Sequence, residues 1–163
     1  MSASYSARTG QVFGEAGYTF DTGAVSFEPF ANLAYVHLST DGYTETGGAA
    51  ALSGGGSSMG TTFTTIGLRA GTEVSLGEST ARLSGSAGWR HAFGDAAPTA
   101  THAFAGGSPF TVAGVPIARD AFVLDLGASI NLTPDATLGL TYGGQFGSGF
   151  ADQSLKANLA VQF

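Results

Sequence analysis

The sequence predicts an all-β fold, an antiparallel transmembrane β-barrel, and three observations carry that expectation. Apolar and polar residues alternate in segments of about ten, the length at which a tilted strand crosses a bilayer. Only 11% of the residues are charged, against roughly 25% for an ordinary soluble domain. No apolar run reaches the ~18 residues of a membrane-spanning helix, because Gly, Ser, Thr or a charge interrupts every stretch. The 26 glycines and 12 phenylalanines agree with this, since glycine is costly inside helices and aromatic side chains suit a pleated surface.

In chain order, the first strand falls near Gln11 to Phe20, where Val12, Ala16, Tyr18 and Phe20 face away from Gln11, Glu15 and Thr19. In the second, Phe27, Pro29, Ala31, Leu33 and Tyr35 oppose Glu28 and Asn32. Ile66, Leu68 and Ala70 oppose Thr65, Arg69 and Glu73 in the third; Ala81, Leu83, Ala87 and Trp89 oppose Arg82, Ser84, Ser86 and Arg90 in the fourth. The fifth has Phe122, Leu124, Leu126, Ala128, Ile130 and Leu132 against Val123, Asp125, Gly127, Ser129 and Asn131. The sixth sets Leu138, Leu140, Tyr142 and Phe146 against Thr137, Gly139, Thr141, Gly143 and Gln145. The last sets Leu155, Ala157, Leu159, Val161 and Phe163 against Lys156, Asn158, Ala160 and Gln162. These are about seven strands, whereas bacterial barrels count evenly, so an eighth comes from Met1 to Thr9, from Thr99 to Val112, or from strands upstream.

A soluble sandwich would show the same alternation, so the connections carry the distinction. Asp21 to Gly23, Ser75 to Glu78 and Thr133 to Asp135 are tight; Ser39 to Gly60 and Phe93 to Arg119 are long. Short turns at one end and long loops at the other are the habit of outer-membrane barrels, whose short turns are periplasmic, and by that parity Phe163 ends at the periplasmic side. The polar faces carry Glu15, Glu28, Arg69, Glu73, Arg82, Arg90, Asp125 and Lys156, which reads as a hydrated lumen. Tyr18, Tyr35, Trp89 and Tyr142 lie toward strand ends, where an interfacial aromatic belt would place them.

A net charge of -6 with only six Lys and Arg argues against a nucleic-acid partner, which demands a basic surface. The absence of cysteine removes disulfides and thiolate metal sites. Met1 to Gly10 are polar and lack the apolar core of a secretory signal, so a protein of this kind is expected to begin upstream. Gly56-Ser57-Ser58-Met59-Gly60 matches the G-x-S-x-G pattern, but no helix follows to make the strained turn that exposes a nucleophile. Asn131-Leu132-Thr133 reads as a chance match to a glycosylation acceptor. His37, His91 and His102 have no metal-ligand spacing and read as solvated side chains. The inward charges read as pairs across a lumen rather than an acid-base apparatus, and Asp41 to Gly60 as a flexible surface loop. Neither a catalytic residue, a cofactor nor a metal is expected.

The residues also resemble the autotransporter β-domain family, the translocators of type V secretion, over most of the chain. The matching stretches are Gly14 to Tyr18, Glu28 to Tyr35, Ile66 to Arg69, Gly88 to Gly94, Phe110 to Pro116 leading to Arg119-Asp120-Ala121, Tyr142 to Gln145, and the terminal Phe163. The resemblance implies a twelve-stranded outer-membrane barrel, inserted by the barrel-assembly machinery, that delivers a covalently linked N-terminal passenger to the cell surface. Residues 1–163 would be its later strands, with the opening strands and the passenger absent. It also implies that the last strand is the assembly signal, carried by Leu155, Leu159, Val161 and Phe163.

Three other readings compete. A complete small barrel of about eight strands would act as an adhesin or structural protein through its long loops. A soluble β-sandwich would bind carbohydrate or a partner and would need no detergent. A barrel-wall enzyme would need Ser, His and an acid clustered at one rim, and the sequence offers no such cluster.

Overall fold

The computed structural model describes residues 2–48, 50–77 and 79–162. Phe163, at the end of the expected assembly signal, and Glu78, at the end of an expected turn, lie outside the described residues. The described residues contain no helix. The strands are β1 (Ala7–Gly17), β2 (Phe20–Asp21), β3 (Ser26–Thr40), β4 (Tyr43–Thr44), β5 (Leu52–Gly54) and β6 (Ser57–Leu76). They continue with β7 (Ser79–Gly94), β8 (Thr99–Phe104), β9 (Phe110–Ala113), β10 (Asp120–Thr133), β11 (Ala136–Gly147) and β12 (Phe150–Val161). One sheet runs in the order β1-β3-β6-β7-β10-β11-β12, with β2 beside β3; a second has the order β4-β5-β8-β9.

The chain divides into two compact units, Gly14–Leu33, Thr64–His91 and Ala118–Phe163 forming one and Met1–Phe13, Ala34–Phe63 and Ala92–Ile117 the other. In the first, the register of β7, β10, β11 and β12 turns the sequence alternation into rows across the sheet. Leu83, Ala128, Leu140 and Ala157 are successive partners, and Leu126, Tyr142 and Leu155 form another such row. One position along, Ser86, Asp125, Gly143 and Ser154 make a polar row, and Ser84, Gly127, Thr141 and Lys156 the next. Because successive side chains point to opposite faces, one face is apolar and the other polar.

That apolar face is not a core. Leu155 is 69% exposed, Ile66 61% and Leu140 48%, and the buried hydrophobic residues among those described are only Phe30, Ala92 and Ala121. A soluble sandwich would bury this face under a second sheet; among the described residues its large apolar side chains stay exposed, as lipid-facing strands require.

The strands are longer than the ten or so residues expected, reaching 20 in β6 and 16 in β7. The expected first strand is also divided at Tyr18 and Thr19. Tyr18 N donates to Pro29 O at 3.2 Å, but Pro29 has no N–H to return, so the ladder stops there and resumes with the Phe20–Phe27 pair. Ala7 to Thr9 are the start of β1 and not a separate strand. The Asn131–Thr133 end of β10 carries a register irregularity before its turn into β11.

Tight connections follow β2, β6 and β10 as the sequence indicated. The turn between β11 and β12 is equally short, Ser148 and Gly149, so the alternation of short and long connections ends there. Gly149 has φ +82° and Gly77, in the β6–β7 turn, φ +68°, values that a side chain rarely tolerates.

In the second unit both expected loops contain strands. The stretch 41–60 holds β4, β5 and the start of β6, and 99–113 holds the β8–β9 hairpin. Tyr43, Gly54, His102 and Phe110 are successive register partners across this small sheet. The Tyr43 ring packs against Gly54, where a Cβ would have no room, and its hydroxyl meets His102 Nδ1 at 3.3 Å. Thr99 to Val112, offered by the sequence as a missing wall strand, is therefore part of a separate sheet.

Candidate functional site

The polar face of the large sheet is the place where the sequence concentrates charge, and the fold assembles those charges into a network. Arg69, on β6, reaches over β3 toward β1: its guanidinium lies 2.6 Å from Glu28 Oε1 and 2.8 Å from Glu15 Oε1. Thr19 Oγ1 donates to the other Glu28 oxygen at 3.0 Å. A planar guanidinium with its fork of donors suits two carboxylates at once, which a lysine would serve less well.

Beneath this cluster the Phe30 ring stands 3.9 Å from the Arg69 guanidinium carbon. The ring fits because Gly67 has no side chain; a Cβ there would come within 2.7 Å of the ring and 2.6 Å of Ala87 O. Sequence reasoning passed over Phe30, although it shares the phase of Glu28 and Asn32. An aromatic residue out of phase with its apolar neighbours, facing a glycine two strand positions from an arginine, was the available signal.

The remaining charges pair locally. Arg82 Nε donates to Glu73 Oε1 at 2.7 Å. Arg90 Nε donates to Thr65 Oγ1 at 3.3 Å, and its NH1 to Gln145 Oε1 at 3.4 Å. Ser86 Oγ donates to Asp125 Oδ2 at 3.1 Å. Glu15, Glu28 and Arg69 thus come together, Glu73 joins Arg82, and Arg90 and Asp125 are held by neutral partners. Most of these contacts join neighbouring strands, while Arg69–Glu15 spans β3 and Arg90–Gln145 spans β10.

Another cluster lies where β7 and β10 begin their pairing. Trp89 Nε1 donates to Asp120 Oδ1 at 3.1 Å, and His91 Nδ1 approaches the same oxygen at 2.8 Å. Trp89 shares its face with Leu83 and Ala87, so an indole on the apolar face keeps its N–H on a carboxylate, the arrangement of an interfacial aromatic. Tyr142 similarly donates its hydroxyl to Gln153 Oε1 at 3.1 Å. His91 and His102 therefore have specific partners, where the sequence suggested solvated side chains. Ser57 to Gly60, from the G-x-S-x-G match, lie extended in β6. Among the described residues no group of three or more His, Cys, Asp or Glu could hold a metal ion.

The expected assembly-signal residues Leu155, Leu159 and Val161 alternate on the exposed apolar face of β12, opposite Tyr142, Leu138 and Ala136. Among the described residues β12 is the last strand in the sheet order and pairs with β11.

An antiparallel sheet of long strands with an uncovered apolar face and a charged, hydrated opposite face defines the wall of a membrane-spanning β-barrel. Comparison with known proteins makes this specific. The family model of the autotransporter beta-domain matches residues 1–143. Two extracellular serine proteases of Serratia marcescens are similar to 99% of the chain, at 41% and 40% identity over 162 residues. The chain belongs to the autotransporter β-domain family, whose β-domain is the transmembrane barrel and translocator unit in the bacterial outer membrane. It spans 16% of the length of each of those relatives.

Proposed function

We propose that this chain is the later part of a translocator barrel that passes a covalently linked passenger through the outer membrane and then anchors it at the cell surface. The observation that carries the reading is the opposite character of the two faces of one sheet. Leu83, Leu126, Leu140 and Leu155 sit exposed on one, while Ser86, Asp125, Gly143 and Ser154 line the other. In a barrel, pairing satisfies the backbone N–H and C=O groups, the apolar face meets lipid, and the polar face forms a lumen that an extended chain can traverse.

In this reading Glu15, Glu28, Arg69, Glu73, Arg82, Arg90 and Asp125 face the lumen. Their part is to hold neighbouring strands in register while keeping the passage wet. Seven long strands alternating in direction would bring β1 and β12 together parallel, and earlier strands of a twelve-stranded barrel resolve that mismatch. Leu155, Leu159, Val161 and Phe163 are the signal that the barrel-assembly machinery reads. The chain has no catalytic task of its own; proteolysis in the Serratia relatives would belong to the passenger.

The test is surface exposure of a tagged passenger in the full-length protein. Added protease should remove the tag from intact cells, while truncation after Gly147, which deletes β12, should leave the tag inside. A passenger exposed equally well without β12 contradicts the proposal.

A further inference from the structure

The β8–β9 hairpin has two unlike faces. His102 and Phe110 are register partners, as are Ala100 and Val112, and Phe104 lies two residues beyond His102 on the same face. The rings of Phe104 and Phe110 stack 5.7 Å apart. On the opposite face the hydroxyls of Thr101 and Thr111 meet at 3.1 Å. The apolar face is uncovered: Phe104 is 51% exposed, Phe110 39% and Val112 50%, and Val115 just beyond is 88% exposed.

We propose that this face is a docking surface for the lipid of the outer leaflet, an interfacial anchor beyond the strand band; the inference rests on the outer-membrane reading above. Two observations favour lipid as the occupant. The first is charge. Residues 96–118 hold no Asp, Glu, Lys or Arg in a protein whose net charge is -6, whereas the other long connection carries Asp41 and Glu45. A surface free of acidic groups meets an anionic leaflet without repulsion and without charge desolvation.

The second is reach. Between Gly94, the end of β7, and Thr99, the start of β8, only Asp95 to Pro98 intervene. At about 3.3–3.6 Å per residue they hold the hairpin within roughly 18 Å of the β7 end. The apolar face of β7 persists nearly to that end, with Trp89 and Phe93 both about half exposed. The hairpin is thus joined by four residues to a strand that carries the apolar face. Two stacked aromatic rings on a rigid strand pair are the side chains that settle at a membrane interface.

The chain lacks cysteine, so once any cysteine in the rest of the protein is replaced by serine, single cysteines in it report position without background. In the full-length protein reconstituted in vesicles of phosphatidylethanolamine and phosphatidylglycerol, an environment-sensitive dye is placed at Val112→Cys, Thr111→Cys or Leu140→Cys, and quenching by brominated acyl chains is read. The proposal expects strong quenching at 140, clear quenching at 112 and several-fold less at 111. Quenching at 140 with 112 no higher than 111 overturns the lipid anchor and leaves the barrel reading standing. A blue-shifted but unquenched dye at 112 also overturns it, showing a protein cover from the passenger or a second copy. No quenching at 140 overturns both readings.

Discussion

The guanidinium carbon of Arg69 stands 3.9 Å from the centre of the Phe30 ring, so a cation shared by two carboxylates is floored by an aromatic face. The geometry ties three strands: Glu15 from β1, Glu28 and Phe30 from β3, Arg69 from β6. Removing the cation alone leaves two carboxylates side by side with no counter-charge. Arg69→Gln should therefore lower the temperature at which the folded band disappears in unheated-against-boiled gels more than Glu15→Gln does. The triple change Arg69→Gln, Glu15→Gln, Glu28→Gln should recover part of the loss, because the surviving charges go with the partner. A triple variant less stable than Arg69→Gln would contradict this pairing.

Gly67 makes room for the Phe30 ring and for Ala87 O, whereas a Cβ at Gly10 would meet nothing within 4 Å. Gly67→Ala should cost about 1–3 kcal/mol, the usual range for overpacking, and Gly10→Ala close to nothing. Phe30→Ala should rescue Gly67→Ala only in part, since the clash with backbone Ala87 O remains. Denaturant unfolding in detergent measures all four proteins, and equal stability of the two alanine variants would refute the close approach.

Charge should be tolerated on one face and not on the other. Leu126 lies mid-strand on the apolar face and Ser86 beside Asp125 on the polar one. Leu126→Arg should cost about 2–4 kcal/mol if it meets lipid near the midplane, while Ser86→Arg gains a carboxylate partner. Folding yield into vesicles reads the difference; equal yields would remove the distinction between the faces.

Trp89 is the one tryptophan in the chain, so intrinsic fluorescence reports its position directly. Held to Asp120 by its indole N–H, it should be quenched more by lipids brominated near the headgroup than near the chain ends. The reverse order would place it in the hydrocarbon interior and not at an interface.

The wall strands were legible because period-two alternation is a property of the sequence itself: Phe122 to Leu132 and Leu138 to Phe146 specify both strand and face. The division of the first strand was not, since it depends on Pro29 of the next strand lying opposite Tyr18. The second sheet was hidden for another reason. β4 and β5 are two and three residues long, too short for periodicity, and exist by pairing with β8 far along the chain. Of the charged network, the residues were visible but not their partners: alternation placed Glu15, Glu28 and Arg69 on one face, and only the register shows that one guanidinium serves both acids. Phe30 was missed because an apolar side chain on a polar face is noise to a periodicity argument until its glycine is found.

The most direct test of the account is a single-cysteine scan along β10 from Phe122 to Asn131 in the full-length protein, embedded in vesicles, with a water-soluble maleimide and a lipid-phase quencher used in parallel. Positions 122, 124, 126, 128 and 130 should be quenched by lipid and slow to react. Positions 123, 125, 127, 129 and 131 should react with the maleimide and escape the quencher. A scan with no alternation, or with the two faces equally open to water, would contradict a membrane-spanning wall with a hydrated lumen.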